Sequence, residues 1–209
     1  MSLIDSICLD VRRMSRLLFV HIAKTGGTSL RKLLKNIAST SCFDCLHNGR
    51  LIRFESGVCV GRKDFDPISF ELYDMAVLIM RNPLMRLESC YRYFLQGGLN
   101  CGGKIVYQAD HDVQIYLQKK APTLSDCVRY LPDIATRIPH FQPASHWLDV
   151  LPNPLADLVF TGRQESFDQD LKRLARLLDL DPELFQAKHL NASTIKGNPS
   201  TPLDPLSRR

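Results

Sequence analysis

The hydrophobic and polar positions of the chain predict strands and helices that alternate along most of its length. Short apolar runs of strand length occupy residues 17–22, 41–46, 75–80 and 157–161. Hydrophobic residues spaced three or four positions apart predict helices over residues 28–38, from residue 83, over 123–130, over 167–178 and briefly from 181. This order predicts an α/β fold with helices flanking a mainly parallel sheet. Because ligands of such folds bind at the C-terminal ends of the strands, candidate site residues are expected there.

Local signals refine this outline. Thr123 with Asp126, and Ser166 with Gln169, have the spacing of capping boxes at helix starts. Residues 96–103 contain four glycines and predict a mobile loop. At roughly 150 residues per domain, the 209 residues form one domain spanning 1–209, and the proline-containing C-terminal end is predicted to be a tail or a flap.

Composition narrows the partners and the compartment. The formal net charge of +5 suits an anionic ligand. The sequence has no run of five or more Lys or Arg residues, which would have indicated a nucleic-acid-binding tail. No apolar run approaches the roughly 18–20 residues that a membrane span needs. The N-terminus lacks the apolar core of a signal peptide, and seven cysteines are an odd number. Both features favour reduced thiols and a cytoplasmic location.

Cysteine spacing raises the possibility of a metal site. Cys42 and Cys45, followed by His47, have the spacing of half a zinc site. A second pair at metal-binding spacing is missing from the sequence. We therefore interpret these cysteines as thiols of the protein core and expect no metal.

The junction after the first predicted strand has the composition of a phosphate-binding loop. Lys24 and Thr25 precede Gly26 and Gly27, and two hydroxyl residues open the next helix, Thr28 and Ser29. Glycines let the backbone approach an anion, and the first amides of the helix and its dipole favour negative charge. A Walker A loop would carry its lysine after the glycines, so this is a different loop.

The string Phe-Val-His-Ile-Ala-Lys-Thr-Gly-Gly-Thr-Ser-Leu at residues 19–30 resembles the 5′-phosphosulfate loop of sulfotransferases that use 3′-phosphoadenosine-5′-phosphosulfate (PAPS). It is most similar to the carbohydrate-type branch, whose usual string is His-Ile-Pro-Lys-Thr-Gly-Gly-Thr-Ser. Ala23 replaces the usual proline. The resemblance implies that residues 24–29 bind the donor.

A second motif of that family follows the strand at residues 75–80. Arg81-Asn82-Pro83, with Ser89 eight positions after the arginine, resembles the 3′-phosphate site. Asn82 replaces the more common aspartate. The resemblance implies that Arg81 and Ser89 bind the 3′-phosphate, and a guanidinium suits that dianion. We leave open whether Arg86 is simply a solvent-exposed arginine.

The resemblance implies a P-loop-like sulfotransferase fold and sulfuryl transfer from PAPS to a hydroxyl, or an amine, of a saccharide or glycoconjugate. Lys24 would neutralise charge on the leaving oxygen. His47, near the end of the second predicted strand, is the candidate general base, with Glu55, Asp110 and His111 as alternatives. His47 could equally be a turn residue. No acidic pair is positioned to hold Mg²⁺.

Weaker similarities extend the resemblance over residues 16–195, which leaves 196–209 as the tail. The chain is similar to soluble, bacterial-type members of the family. Two other functions remain open: a non-catalytic protein that binds PAPS or its product, and a P-loop-type kinase. The kinase would require a Walker A string and an acidic residue for Mg²⁺ at a strand end.

Overall fold

The computed structural model describes residues 17–37, 42–47, 50–55, 58–64, 73–101, 104–105, 107–149, 151 and 159–185. The predicted tail, and the weak family similarity at residues 189–193, lie outside the described residues.

Six strands form one sheet in the order β4-β3-β2-β1-β5-β8, and β6 and β7 form a separate two-residue ladder. Their bounds are β1 Leu17–Val20, β2 Cys42–His47, β3 Arg50–Glu55, β4 Val58–Asp64, β5 Met75–Met80, β6 Asn100–Cys101, β7 Lys104–Ile105 and β8 Val159–Arg163. Strand β1 pairs in parallel with β2 and β5, and β5 pairs in parallel with β8. Strands β3 and β4 add an antiparallel arm beside β2. The α/β prediction is confirmed, and the sheet is mixed, with three parallel and two antiparallel strand pairings.

The described residues form seven α-helices, which connect or cover the strands. They are α1 Gly27–Ile37, α2 Pro83–Leu95, α3 Gln108–Lys120, α4 Leu124–Arg129, α5 Leu131–Arg137, α6 Ser145–Leu148 and α7 Phe167–Leu177. Short 3₁₀ turns occupy Pro139–Phe141, Gln164–Ser166 and Pro182–Phe185. The helices predicted after the first strand, at residue 83, at residue 124 and at residue 167 are therefore present.

The core has three parts. Alternation along β1 sends Phe19 to one face of the sheet, where it joins a cluster with α1 and α7, and sends Leu18 to the other face, beside Trp147. A third cluster around Phe94 joins α2 to α3, α4 and α5. Phe19 and Leu18 are fully buried, and burial of each such side chain contributes about 1.5–3 kcal/mol.

Two local predictions come out differently at the helix ends. Thr123 caps α4 as predicted, because its hydroxyl oxygen accepts a hydrogen bond from the Asp126 amide at 3.1 Å. Ser166 does not cap α7: its hydroxyl donates to Asp170 at 2.8 Å. That carboxylate also accepts the Arg163 amide at 2.7 Å, so it binds the end of β8 to α7. The serine is thereby used in a tertiary contact.

The described part of the glycine-rich segment is a structured turn. Gly97 and Gly98 have φ angles of 80° and 77°, which glycine adopts readily. Their amides donate at 2.9 Å to the carbonyls of Phe94 and Tyr93, so they close the C-terminus of α2. The chain then enters the ladder of β6 and β7. The expectation of a mobile loop is replaced, for residues 96–101, by a helix cap and a short strand.

The topology locates a crevice at one edge of the sheet. From β1 the chain crosses through α1 to β2 on one side, and it later returns to β5 on the other side of β1. The strand order therefore reverses between β1 and β5. In α/β sheets, ligands bind outside the C-terminal ends of the strands at such a reversal.

Candidate functional site

A cavity of about 230 Å³ lies at the C-terminal ends of β1, β5 and β8. Three strand-to-helix junctions contribute its lining residues, which are His21, Lys24, Gly26, Gly27, Thr28, Ser29, Arg81, Ser89, Gln164 and Phe167. Seven of the eight residues expected from the sequence to bind the donor are among them. The structure thus brings together two motifs that are more than fifty residues apart in the chain.

The loop after β1 is shaped by its backbone. Lys24 has a φ angle of 65° and Gly26 one of 89°, both in the left-handed region. The amides of Ser29 and Leu30 donate to the Gly26 carbonyl at 3.0 and 3.3 Å, which begins α1. Thr25 points inward and is 1% exposed, and its hydroxyl donates to the Ile22 carbonyl at 2.9 Å. Thr25 stabilises the loop from its buried side and is not among the residues that line the cavity.

Gly27 is required by the ring of His21. A Cβ atom at position 27 would lie 2.1 Å from Cδ2 of that ring, a distance at which one of the two must move. The His21 ring in turn is stacked between Phe19, with centroids 5.5 Å apart, and His47, with centroids 4.5 Å apart. The ring has little freedom to withdraw, so residue 27 must lack a side chain.

His47 is the last residue of β2, and its ring lies behind that of His21. It is partly buried and is not among the residues that line the cavity. Burial, together with the positive charge of Arg31, lowers the pKa of His47 to about 4. Burial also lowers the pKa of His21 well below its usual value. Both imidazoles are therefore neutral at pH 7, and the buried Nδ1 atom of each has no hydrogen-bond partner among the described residues.

Lys24 and Arg81 supply the positive charge of the cavity. Nη1 of Arg81 donates to the Lys24 carbonyl at 3.1 Å, which ties the β5 junction to the β1 junction. The Lys24 ammonium lies 4.4 Å from the centroid of the Tyr93 ring, a cation–π distance. Burial lowers the pKa of Lys24, and the neighbouring Arg81 charge adds to that effect.

The junction after β5 is a capped helix start. The Asn82 side chain accepts hydrogen bonds from the amides of Leu84 and Met85 at 3.0 and 3.3 Å, and Pro83 occupies the first turn of α2. The asparagine thus does what an aspartate would do at an N-cap. The backbone amide of Asn82 donates to Oε1 of Glu165 at 2.7 Å. Ser89, two turns along α2, reaches the cavity.

Arg86 is buried, with 7% of its surface exposed. Its guanidinium donates to the carbonyls of Ala23 at 3.4 Å and His140 at 3.0 Å, and also to that of Gln142. It therefore holds the β1 loop against the Pro139–Phe141 turn. The alternative of a solvent-exposed arginine is wrong.

The junction after β8 contributes two lining residues that sequence reasoning did not single out. Gln164 reaches the cavity, and its buried Oε1 atom has no hydrogen-bond partner among the described residues. A Cβ atom on Gly26 would lie 3.6 Å from Cε2 of Phe167, so the ring packs beside the glycine loop. The available signal was the position of both residues just after a third parallel strand.

The alternative bases lie away from the cavity lining. Glu55 is exposed at the end of β3. Asp110 accepts hydrogen bonds from the Tyr93 hydroxyl and the Leu99 amide, and His111 contacts Gln114 at 3.0 Å on α3. Glu55, Asp110 and His111 are not among the lining residues.

The described residues contain no group of three or more side chains suited to hold a metal ion. Burial raises the pKa of Cys45 to about 12, so this residue is a neutral thiol, whereas a zinc ligand is a thiolate. The zinc half site that the spacing of Cys42, Cys45 and His47 suggested as an alternative therefore has one poorly suited member. No helix among the described residues is long and apolar enough to cross a membrane.

Comparison of the chain with protein-family models, with curated proteins and with solved structures found no match. What the cavity binds is therefore inferred from its own residues and from the motifs that supply them.

Proposed function

We propose that the chain is a sulfotransferase that moves the sulfuryl group of PAPS to a hydroxyl, or an amine, of a saccharide or glycoconjugate acceptor. One observation carries this proposal. The loop containing Lys24 and the Arg81-Ser89 pair resemble the two phosphate-binding motifs of that family, and they line a single cavity. A P-loop-like sulfotransferase fold and a cytoplasmic location belong to the same proposal.

The charges of the cavity suit a ligand with several anionic groups. Its described lining residues include two cations, Lys24 and Arg81, and no carboxylate. Gly26 precedes α1 and has no side chain to cap the helix, so the amides of Gly27 and Thr28 remain for an anion. We assign the 5′-phosphosulfate to Gly26, Gly27, Thr28 and Ser29, and the 3′-phosphate to Arg81 and Ser89.

PAPS supplies a sulfuryl group whose bond to a phosphate oxygen breaks as its bond to the acceptor oxygen forms. Lys24 neutralises the negative charge that builds on the phosphate oxygen, an electrostatic role that matters most in the transition state. The acceptor hydroxyl must lose its proton, and a neutral imidazole can take it. Lys24 therefore acts on the leaving side and a histidine on the attacking side.

His47 is the proposed base, with His21 stacked between it and the cavity. We expect His47→Ala to lower kcat by roughly 10²–10⁴-fold and to leave donor affinity within about twofold. Since burial lowers the pKa of His47 to about 4, the rate should stay high at neutral pH and fall only as the pH decreases through that value.

Steady-state kinetics across pH 3.5–8 would check this role, with His111→Ala as a control on α3. Full activity in His47→Ala would remove it as the base. If His21→Ala then abolished turnover, the imidazole that lines the cavity would take the role.

The decisive experiment for the function is calorimetry with adenosine 3′,5′-bisphosphate in the presence of EDTA. Binding without Mg²⁺ is expected, and Lys24→Ala should lower turnover more than affinity. Labelled PAPS with a panel of saccharides then identifies the acceptor.

Other functions would give different results in the same experiments. A kinase would bind ATP with Mg²⁺ in preference to the bisphosphate, and a non-catalytic binding protein would bind the bisphosphate and form no product with any acceptor. Absence of bisphosphate binding would overturn the donor assignment.

A further inference from the structure

Tyr93, on α2, faces the Lys24 side chain. The Lys24 ammonium lies 4.4 Å from the centre of the Tyr93 ring, and the ring is also stacked against His140 with centroids 6.4 Å apart. Phe94 contacts the ring edge-on with centroids 5.0 Å apart. One face of the aromatic ring thus meets the cation while neighbouring rings restrict the remaining directions.

The hydroxyl end of Tyr93 is fixed as well. It donates to Oδ2 of Asp110 at 2.9 Å, and the same carboxylate oxygen accepts the Leu99 amide at 3.1 Å. Gly98 lies so close that a Cβ atom there would be 2.0 Å from that oxygen. Asp110 is therefore held by the turn that ends α2, and it fixes the orientation of the tyrosine.

The backbone of Lys24 is constrained, so the mobile part of this residue is its side chain. Its φ angle of 65° is set by the loop, and its carbonyl is occupied by Arg81. A lysine side chain has four rotatable bonds and many accessible rotamers. A fixed aromatic face beside the cavity-lining Lys24 is the feature that selects among them.

The charge of Lys24 is also under opposing influences. Burial and Arg81 lower its pKa, and Cys90 would raise it only as a thiolate. Burial itself raises the pKa of Cys90 to about 11 and lowers the pKa of His140, so both of these neighbours are neutral at pH 7. An aromatic face favours the cationic form of an amine. Among the described residues, the groups that face Lys24 are thus the Arg81 cation, the neutral Cys90 and His140, and the Tyr93 ring, with Asp110 behind the ring.

We propose that Tyr93, oriented by Asp110, is a positioning residue for Lys24: its ring holds the ammonium charged and at the cavity wall. The meaning of this contact for catalysis rests on the proposed function, since a neutral or displaced lysine could not stabilise the leaving oxygen. The contact itself is measurable without any acceptor.

Competitive acetylation of the folded protein with acetic anhydride over a range of pH, quantified by mass spectrometry, reports the titration of each lysine. In Tyr93→Leu, we expect Lys24 to titrate at lower pH and its labelling at pH 7 to rise roughly threefold to thirtyfold, as loss of a cation–π contact implies. Tyr93→Phe keeps the ring and loses only the hydrogen bond to Asp110, so labelling of Lys24 should rise less than in Tyr93→Leu.

A matched control exists elsewhere in the chain. The Lys120 ammonium lies 4.3 Å from the centroid of Tyr130, outside the cavity lining. Tyr130→Leu should change the labelling of Lys120 and leave Lys24 unchanged. If Tyr93→Leu does not fold, Tyr93→Met is tested with the same expectation.

Unchanged titration of Lys24 in Tyr93→Leu would overturn the positioning role, and so would an equal shift in the Phe and Leu variants. Calorimetry with adenosine 3′,5′-bisphosphate separates this result from the proposed function. If the parent protein does not bind the bisphosphate, the proposed function fails whatever the labelling shows. If the parent protein binds the bisphosphate and the titration of Lys24 is unchanged in Tyr93→Leu, only the positioning role fails.

Discussion

The junctions after β1 and β5 both lead from a strand into a helix beside the same cavity, but they are built differently. After β1, the chain turns through left-handed conformations at Lys24 and Gly26, and the residue before α1 has no side chain. After β5, Asn82 occupies two amides of α2 with its own side chain. The first junction offers backbone amides as well as side chains to a ligand, whereas the second offers side chains alone.

This difference explains why each motif has its composition. A helix start that binds an anion must leave its amides unoccupied, which favours glycine before the helix. A helix start that is already capped can contribute only side chains, here Arg81 and Ser89. Stereochemistry therefore limits substitutions at the first junction, and charge limits them at the second.

The largest effect is expected where charge is removed from the second junction. Arg81→Ala should weaken binding of adenosine 3′,5′-bisphosphate by roughly 2–4 kcal/mol, because a charge-assisted contact with the 3′-phosphate is lost. Calorimetry would measure this, with Arg62→Ala on the exposed face of β4 as the control. Unchanged affinity in a folded Arg81→Ala protein would refute the assignment.

The histidine stack that supports the first junction predicts a dependence of stability on pH. Burial lowers the pKa of His47 to about 4, whereas an unfolded histidine titrates near 6.5. The unfolded chain therefore binds the proton first, and stability is lost as the pH falls from about 6.5 to about 4, by up to about 3 kcal/mol for this residue.

Urea denaturation at several pH values would measure the loss. His47→Phe, which keeps a stacked ring and removes the titration, should have a flatter profile in that range. Equal slopes for the parent and the variant would contradict a buried neutral imidazole.

Adding a methyl group at the first junction should have a smaller effect on the free energy of unfolding. Gly27→Ala places a methyl group against the His21 ring, and such overpacking costs about 1–3 kcal/mol of unfolding free energy. Bisphosphate affinity should fall with it, because the loop must shift. Gly61→Ala is the matched control, since a Cβ atom there meets nothing within 4 Å. Similar thermal unfolding midpoints for the two variants would show that the His21 contact can relax.

The smallest effect should follow loss of the cap at the second junction. Asn82→Ala removes the acceptor for two α2 amides and should cost about 1 kcal/mol of unfolding free energy. Bisphosphate affinity should change by less than about threefold, because Arg81 and Ser89 remain. A large loss of affinity with normal stability would mean that Asn82 contacts the ligand.

The parts of the fold that the sequence predicted correctly are those with local signals. Strand β5 has the predicted bounds, and α1 and α2 begin within one residue of the expected positions. Strand β1 ends at Val20 rather than at residue 22, because His21 and Ile22 already belong to the loop.

The antiparallel arm was missed for identifiable physical reasons. The register shifts between Arg53 and Phe54, so the buried residues of β3, Leu51 and Phe54, are three positions apart and show no strand alternation. Strand β4 is exposed at Val58 and Val60 and has no buried stripe to detect. Helix α3 likewise buries little, with Leu117 as its fully buried residue.

The candidate site was predictable where one short string carries the chemistry. Glycines, a lysine and hydroxyls adjacent in sequence must be adjacent in space, so residues 24–29 were found together. Tyr93 and Gln164 reach the same region only through tertiary packing, for which the sequence has no local pattern. The orientation of Arg86 into the protein likewise depends on carbonyl groups of distant segments.

The hydrogen bond from Arg81 to the Lys24 carbonyl has a consequence for selectivity. Since one guanidinium fixes the loop and faces the cavity, the two proposed phosphate subsites should depend on each other in position, and the free energies of substitutions at residues 24 and 81 should not add. We expect a site with this pair of proposed subsites to select for the separation between two phosphate groups within one ligand, and to discriminate against mononucleotides that carry only one of them.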